Sequence, residues 1–223
     1  MKRLQLSPSI LTADFGRMSD EVASVAEHVD WFHLDVMDGH YVPNLTFGPR
    51  MVEVVRRAVD HPLNVHLMIT DPGGFAEMFA VAGATRICFH PETVPDPARV
   101  IEQIRSLGAG PGIAVHPDVE LEPLRGFLTE VDVVLMMTVR PGFGGQRFIP
   151  EVVPKIERAR EMLQETGSDA DIEVDGGVNL ETVDRTVAAG AQIVVAGSAI
   201  FDGIDPPAAA ARLRSRLDEL GAQ

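Results

Sequence analysis

The feature that most constrains this chain is a regular alternation along its length: short apolar or β-branched runs, each followed by a longer amphipathic segment. Alternating strand and helix periods of this kind are the pattern of βα units repeated around a parallel sheet. The spacing predicts strands over Leu4–Ile10, Trp31–Val36, Leu63–Met68, Arg86–Phe89, Gly112–Val115, Val133–Met137, Ile172–Val174 and Ile193–Ala196. Helices are predicted over Met18–Glu27, Pro49–Asp60, Gly73–Ala82, Pro97–Leu107, Leu121–Phe127, Pro150–Glu165, Leu180–Ala188 and Pro206–Leu220. Pro49, Pro97, Pro150 and Pro206 suit a first helical turn, where no intrahelical N–H bond is lost, while Gly83, Gly108 and Gly190 suit helix ends. The repeated Ala82-Gly83-Ala84 and Ala189-Gly190-Ala191 would each close a helix and open the next strand. No Ser/Pro-rich linker or block of like charge interrupts the 223 residues, so one domain over 1–223 is expected. Eight βα pairs close naturally into an α/β (β/α)8 TIM barrel, with an open doubly wound sheet as the alternative.

Charge narrows the partners. With 19 Lys and Arg against 33 Asp and Glu, the net charge of −14 opposes nucleic acid and anionic membranes, and neither is expected as a partner. Cys88 is the single cysteine, which excludes an intramolecular disulfide or a Cys-based metal site and fits a reducing, cytoplasmic setting. Lys2 and Arg3 precede only a short apolar stretch broken by Pro8 and Asp14, so no export is expected. The uncharged run Thr186–Phe201 is shorter than a span of about 20 residues and contains Gly190 and Gly197, so no membrane anchor is expected.

In a barrel of this type the residues at strand C-termini and in the loops after them face the active site. His33 and Asp35, two apart in a strand, share a face; His66 ends the third strand and Asp175 follows the seventh. Two imidazoles and two carboxylates could therefore converge at the mouth as a divalent-metal set, with Zn²⁺ first and Fe²⁺, Mn²⁺ or Co²⁺ as alternatives. Taken singly, each is more often a satisfied core histidine or a capping aspartate. Glycine-rich loops make a second constellation: Pro141-Gly142-Phe143-Gly144-Gly145-Gln146 after strand six, Gly176-Gly177 after strand seven and Gly197-Ser198 after strand eight. A single pair of glycines would mean only a tight turn, but three such loops on one face favour an anion, phosphate in particular. Ser9 could donate to a substrate hydroxyl or cap its own turn. Met37, Met68 and Met137 sit beside the polar set, where packing explains them unless they line a dry cavity. His28, His40, His61, His90 and His116 receive no catalytic role.

The stretch His33-Leu34-Asp35-Val36-Met37-Asp38-Gly39-His40-Tyr41-Val42-Pro43-Asn44 resembles the signature of the ribulose-phosphate 3-epimerase family. Ser7-Pro8-Ser9-Ile10-Leu11, His66-Leu67-Met68, Met137-Thr138-Val139, Pro141 to Gln146, Glu173-Val174-Asp175-Gly176-Gly177-Val178 and Gly197-Ser198-Ala199-Ile200 resemble further motifs of that family, in its order. The resemblance implies a metal-dependent barrel of the ribulose-phosphate-binding type that interconverts D-ribulose 5-phosphate and D-xylulose 5-phosphate. His33, Asp35, His66 and Asp175 match its metal ligands, and Asp35 and Asp175 its two proton-transfer groups, one on each face of C3. A divalent ion would stabilise the 2,3-enediolate while Met37, Met68 and Met137 restrict water. Substrate contacts would fall on Ser9, His66, Gly142, Phe143, Gly144, Gly145, Asp175, Gly176, Gly177, Gly197 and Ser198, the glycines and Ser198 holding the phosphate. A homo-oligomer is also implied.

Arg140 and Val115-His116-Pro117-Asp118 depart from common family patterns. His90-Pro91-Glu92-Thr93 and Phe148-Ile149-Pro150-Glu151 resemble the related allulose-6-phosphate 3-epimerases, which keeps a six-carbon ketose phosphate as the alternative substrate. A non-catalytic phosphosugar-binding barrel would keep the glycines but lose the acid/base pair, and both aspartates are present. A Schiff-base mechanism is disfavoured because the only lysines, Lys2 and Lys155, fall at no strand end.

Overall fold

The computed structural model describes residues 3–201 and 203–222; Lys2 and the ends of the expected 1–223 domain lie outside the described residues. Eight strands, β1 (Gln5–Pro8), β2 (Phe32–Met37), β3 (Leu63–Met68), β4 (Arg86–Phe89), β5 (Gly110–Val115), β6 (Val133–Met137), β7 (Asp171–Asp175) and β8 (Ile193–Ala196), form one sheet among the described residues. Every adjacent pair is parallel, in the order β1-β8-β7-β6-β5-β4-β3-β2. The two ends of that order meet: Ser9 and His33 form a parallel bridge, and Asp30 and Trp31 donate backbone N–H to Leu6 O at 2.9 and 3.3 Å. The sheet is therefore a nearly closed barrel, and the open doubly wound alternative is excluded.

Around it lie α1 (Met18–Val25), α2 (Pro49–Ala58), α3 (Pro72–Ala82), α4 (Pro97–Ser106), α5 (Val153–Thr166), α6 (Val183–Ala189), α7 (Ser198–Phe201) and α8 (Pro206–Gly221). An Asp-Pro pair opens three of them. Asp71, Asp96 and Asp205 each accept a backbone N–H of the first turn, from Gly74, Arg99 and Ala208, and the proline that follows needs no N–H there. Gly83 and Gly190 close α3 and α6 at φ of 111° and 121°, a region other residues avoid.

The helical expectation fails where the backbone chemistry opposes it. Leu121–Phe127 is a 3₁₀ helix over Glu122–Phe127, since Pro123 and Gly126 leave too short a run to propagate an α-helix. Pro150–Val152 is also 3₁₀, and α5 begins only at Val153, because Pro154 has no N–H to bond back to Pro150. The first strand stops at Pro8, since Ser9 caps a 3₁₀ turn over Ile10–Thr12. Asn179 Oδ1 accepts from Glu181 N and Thr182 N, a local turn that delays α6 to Val183.

Alternation of side chains divides the core in two. Leu6, Leu34, Val65, Ile87, Ile113, Val134, Val174 and Val194, one from each strand, are buried between barrel and helices. Inside the barrel, Cys88, Ala114, Val133, Leu135 and Ile193 form a separate apolar cluster, and Ser7, His33, Asn64, Arg86 and Glu173 are buried polar residues. Gly112 leaves room for that cluster: a Cβ there would lie 2.4 Å from Cys88 Sγ and 2.5 Å from Val133 Cγ1. Gly112→Ala is therefore expected to destabilise the fold by about 1–3 kcal/mol through overpacking. Urea unfolding of the variant checks this, and an unchanged midpoint would show slack in the interior.

Candidate active site

β2 carries His33 and Asp35 inward, β3 carries His66 and β7 carries Asp175. The register sets Asp35 directly beside His66. One ligand atom from each of the four residues falls within 4.8 Å of the others. His33 Nε2 lies 3.3 Å from Asp35 Oδ1 and 3.8 Å from Asp175 Oδ2; His66 Nδ1 lies 3.1 Å from Asp35 Oδ1 and 3.9 Å from Asp175 Oδ2. Both imidazoles are wholly buried beneath the carboxylates, whereas Asp35 and Asp175 line the cavity above.

Each group has a distinct environment. Glu173, two residues before Asp175 and on the same face of β7, places Oε1 3.0 Å from His33 Nδ1, while its Oε2 accepts from Asn64 Nδ2 at 2.7 Å. That contact turns His33 Nε2 inward, where it is buried without a hydrogen-bond partner among the described residues. Burial opposes a charge on His33, but the carboxylates of Asp35, Glu173 and Asp175 override it and raise its proton affinity well above the ordinary range. Burial likewise opposes ionisation of Asp35, yet His33 and His66 pull its carboxyl well below the usual carboxylate range. Ser9 Oγ donates to Asp35 Oδ2 at 2.5 Å. Asp175 moves the other way: burial and the adjacent Asp35 charge push it up to about 8. His66 is pushed down to about 4 by burial, reinforced by His90 and His33 against the pull of Asp35. Two carboxylates side by side thus hold protons with opposite strengths, as in acid/base pairs.

The donor set also fits a divalent ion. Nitrogen and carboxylate arms of about 2.0–2.1 Å give a tetrahedral edge of about 3.3 Å, and the four separations given above, from 3.1 to 3.9 Å, bracket it. The orphaned His33 Nε2, with a carboxylate behind its other nitrogen, has the arrangement of a metal-ligating histidine.

Above the cluster, Ser9, Met37, Met68 and Met137 line the cavity together with Gly142, Phe143, Gly144, Gly145, Gly176, Gly177, Gly197 and Ser198. The structure thus brings together all the sequence-predicted residues, with His33 and His66 in the layer beneath. Ser9 does cap its own turn, accepting Leu11 N at 3.3 Å, and spends its hydroxyl proton on Asp35. Gly176 and Gly177 have φ of 118° and 65°, and a Cβ on either would come within 2.4 Å of Val139 Cγ2 or Phe148 N. Only glycine lets the chain leaving β7 lie this close to the segment after β6.

Sequence reasoning missed Thr12, Glu173, Asn64, His90 and Glu92. Thr12 lines the cavity, and its hydroxyl is buried with no partner among the described residues. Its position just after β1 was the available signal. Glu173 shares the parity that linked His33 with Asp35. The two departures from the family pattern prove to be partners: Arg140 Nη2 lies 3.1 Å from Asp118 Oδ2. Lys155 donates to His116 O and Pro117 O and lies outside the cavity lining.

Fold and site together define a (β/α)8-barrel enzyme whose mouth joins a buried His/Asp cluster to a glycine-lined cavity. The sequence model of the ribulose-phosphate 3-epimerase family matches residues 5–201. The chain is 46% identical over 209 residues to a ribulose-phosphate 3-epimerase of Mycobacterium tuberculosis, covering 94% of this chain and 91% of that one. It is 44% identical over 213 residues to the Bacillus subtilis enzyme of the same name, covering 95% and 98%. The chain belongs to the ribulose-phosphate 3-epimerase family and is an isomerase. The barrel also matches the crystal structure of KGPDC from Streptococcus mutans, with a TM-score of 0.77 at 16% identity over 98% of this chain and 99% of that one, a likeness of fold alone. No helix among the described residues is long and apolar enough to cross a membrane.

Asn64 supplies the shortest hydrogen bond to the buried Glu173. Asn64→Ala is expected to cost about 2 kcal/mol of stability, the scale for a hydrogen bond to a charged group, and urea unfolding measures it. A change below about 0.5 kcal/mol would show that Glu173 does not depend on Asn64.

Proposed function

We propose that the chain interconverts D-ribulose 5-phosphate and D-xylulose 5-phosphate by two-base proton transfer at C3. The carrying observation is the convergence of the Asp35 and Asp175 carboxylates on one cavity directly above the two buried imidazoles, with Asp35 shifted toward its ionised form and Asp175 toward its protonated form. The family membership and the names of the relatives support the pentose phosphate.

In this reading Asp35 removes the C3 proton from one face. The electrons of the broken C–H bond pass into the C2 carbonyl, giving a 2,3-enediolate. Asp175 then returns its proton to the opposite face of C3, and the carbonyl re-forms. The two carboxylates end with exchanged protonation, which runs the reverse reaction or is reset by proton exchange with solvent. Ser9 orients Asp35 through its short hydrogen bond. Met37, Met68 and Met137 keep the reacting carbon dry. The phosphate lies against Gly142, Gly144, Gly145, Gly176, Gly177, Gly197 and Ser198, with Phe143 at the rim, where backbone can approach an anion without an intervening Cβ. His66 meets the substrate only through the layer of Asp35 and Asp175. When bound by His33, Asp35, His66 and Asp175, a divalent ion, Zn²⁺ first and Fe²⁺, Mn²⁺ or Co²⁺ otherwise, supplies positive charge that stabilises the enediolate.

One barrel over 1–223 carries this activity, in a cytoplasmic setting and with no nucleic-acid partner, in keeping with the charge of −14. Self-association is supported by α3, whose Phe75, Met78 and Val81 are 45%, 53% and 82% exposed along one side.

The test is NMR of the purified protein with D-ribulose 5-phosphate in D₂O, beside D-allulose 6-phosphate and a chelated control. Xylulose 5-phosphate should form with deuterium entering C3, more slowly from chelated protein and with recovery on adding a divalent ion. Asp175→Asn should lower turnover by about 10²–10⁴-fold, the range in which a positioned acid or base contributes, with an unchanged circular dichroism spectrum. Preference for the hexulose would reassign the substrate, full activity in metal-free protein would remove the ion, and near-normal turnover of the variant would remove Asp175.

A further inference from the structure

A line of polar contacts leads outward from the cluster. His66 faces Asp35 through Nδ1 at 3.1 Å, and its Nε2 lies 3.0 Å from Nε2 of His90, which follows β4 and is wholly buried. The other His90 nitrogen, Nδ1, lies 3.4 Å from Glu92 Oε1 and is buried without a hydrogen-bond partner among the described residues. The same Glu92 oxygen accepts from the Tyr41 hydroxyl at 2.8 Å. The three rings form a stack, with centroids 5.1 Å apart from His66 to His90 and 4.7 Å from His90 to Tyr41.

Two ring nitrogens in hydrogen-bond contact need one proton and one lone pair between them, so a neutral His66–His90 pair has two arrangements. In one, His66 donates from Nδ1 to Asp35 and accepts from His90 Nε2–H, leaving a lone pair on His90 Nδ1 opposite Glu92. In the other, His66 donates from Nε2 to His90, and His90 carries its proton on Nδ1, aimed at Glu92. Each arrangement holds two protons. Only the second frees the His66 Nδ1 lone pair, which faces the carboxylates of Asp35 and Asp175. The Asp35 contact favours the first, and a cation in the cluster favours the second.

We propose that Glu92 is a positioning residue for ion capture: it accepts the N–H that His90 turns outward when His66 exchanges its Nδ1 proton for a cation. The site then takes up its ion without expelling a proton from the histidine pair. This rests on the reading of His66 as a ligand, and the test separates the two.

Imidazole ¹⁵N NMR of the wild-type protein, metal-free and loaded with Zn²⁺, reads both rings. On loading, the His66 signals should show Nδ1 bound and Nε2 protonated, and the His90 proton should pass from Nε2 to Nδ1. Unchanged His66 signals would remove the ligand reading and this inference with it. A changed His66 beside a His90 still protonated on Nε2 in the loaded protein would overturn the inference alone. Zn²⁺ competition against a chromophoric chelator gives a second reading. Glu92→Leu, which lacks an acceptor, should bind at least about tenfold more weakly, the lower end of the usual effect of such outer partners. Glu92→Gln, whose amide oxygen still accepts, should recover most of the loss. Wild-type affinity in the leucine variant would overturn the proposal.

Discussion

A carboxylate buried inside a barrel must be surrounded by donors, and the arrangement of this interior follows from that requirement at Glu173. Fully buried, it faces His33 of β2, Asn64 of β3 and, at 3.7 Å, the Arg86 guanidinium of β4. Those partners, with burial opposing them, keep it ionised below the usual carboxylate range. Arg86 in turn lies 4.2 Å over the Trp31 ring, and Trp31 Nε1 donates to Gln5 Oε1 at 2.7 Å. The network therefore joins β7 to β2, β3 and β4 across the barrel and crosses from Trp31, just before β2, to β1. That crossing is where the sheet has a single bridge in place of a ladder. Removing His33, Asn64 or Arg86 leaves the buried Glu173 charge under-partnered, a larger loss than the hydrogen bond itself.

The same network shapes the chemistry one layer higher. Because Glu173 holds Nδ1 of His33, the free nitrogen of that ring is directed at the carboxylates. Asp35 gains three neighbours from this layer, His33, His66 and the Ser9 hydroxyl, all of which favour its ionised form. Asp175 is nearly 4 Å from both imidazoles and faces the Asp35 charge. Their divergence thus comes from placement: Asp35 has His33 two residues before it on its own strand and His66 beside it in register, whereas Asp175 is paired with Met137 and Val195. No difference in residue type is involved.

What the sequence revealed and what it concealed divide along the same line. Strand positions such as Leu63–Met68 and Val133–Met137 were legible because apolar runs bounded by turn residues have few other uses. His33, Asp35, His66 and Asp175 were legible because parity and position at strand ends are local properties. The Glu173–His33 contact joins residues 140 apart, and which inward residue meets which depends on barrel stagger, which no local pattern records. The His90–His66 contact was hidden for the same reason, although His90 stands at a strand end. The short 3₁₀ segments were misread as helices because apolar periodicity outweighed the prolines at 123 and 154, whose missing N–H decides hydrogen bonding in a single turn.

The end of β7 and the turn after it concentrate these constraints in five residues, Glu173 to Gly177. Glu173 anchors the interior, Asp175 faces the cavity, and Gly176 and Gly177 begin the glycine lining. The junction between Asp175 and Gly176 is clamped by the residue that follows β6: Thr138 N donates to Asp175 O at 2.7 Å, and Thr138 Oγ1 lies 2.9 Å from Asp175 O and 2.6 Å from Gly176 O. The two glycines beyond it approach Val139 and Phe148 more closely than any side chain would allow. The proposed proton donor and the proposed phosphate cradle therefore sit on one short, tightly held stretch of backbone. In the proposed reading, a substrate held by its phosphate at Gly177 would be registered against the carboxyl of Asp175, so that binding energy far from the reacting carbon would act on the position of that carbon. This gives a physical reason for glycine at both positions after Asp175: a side chain there would displace the loop and the carboxylate together.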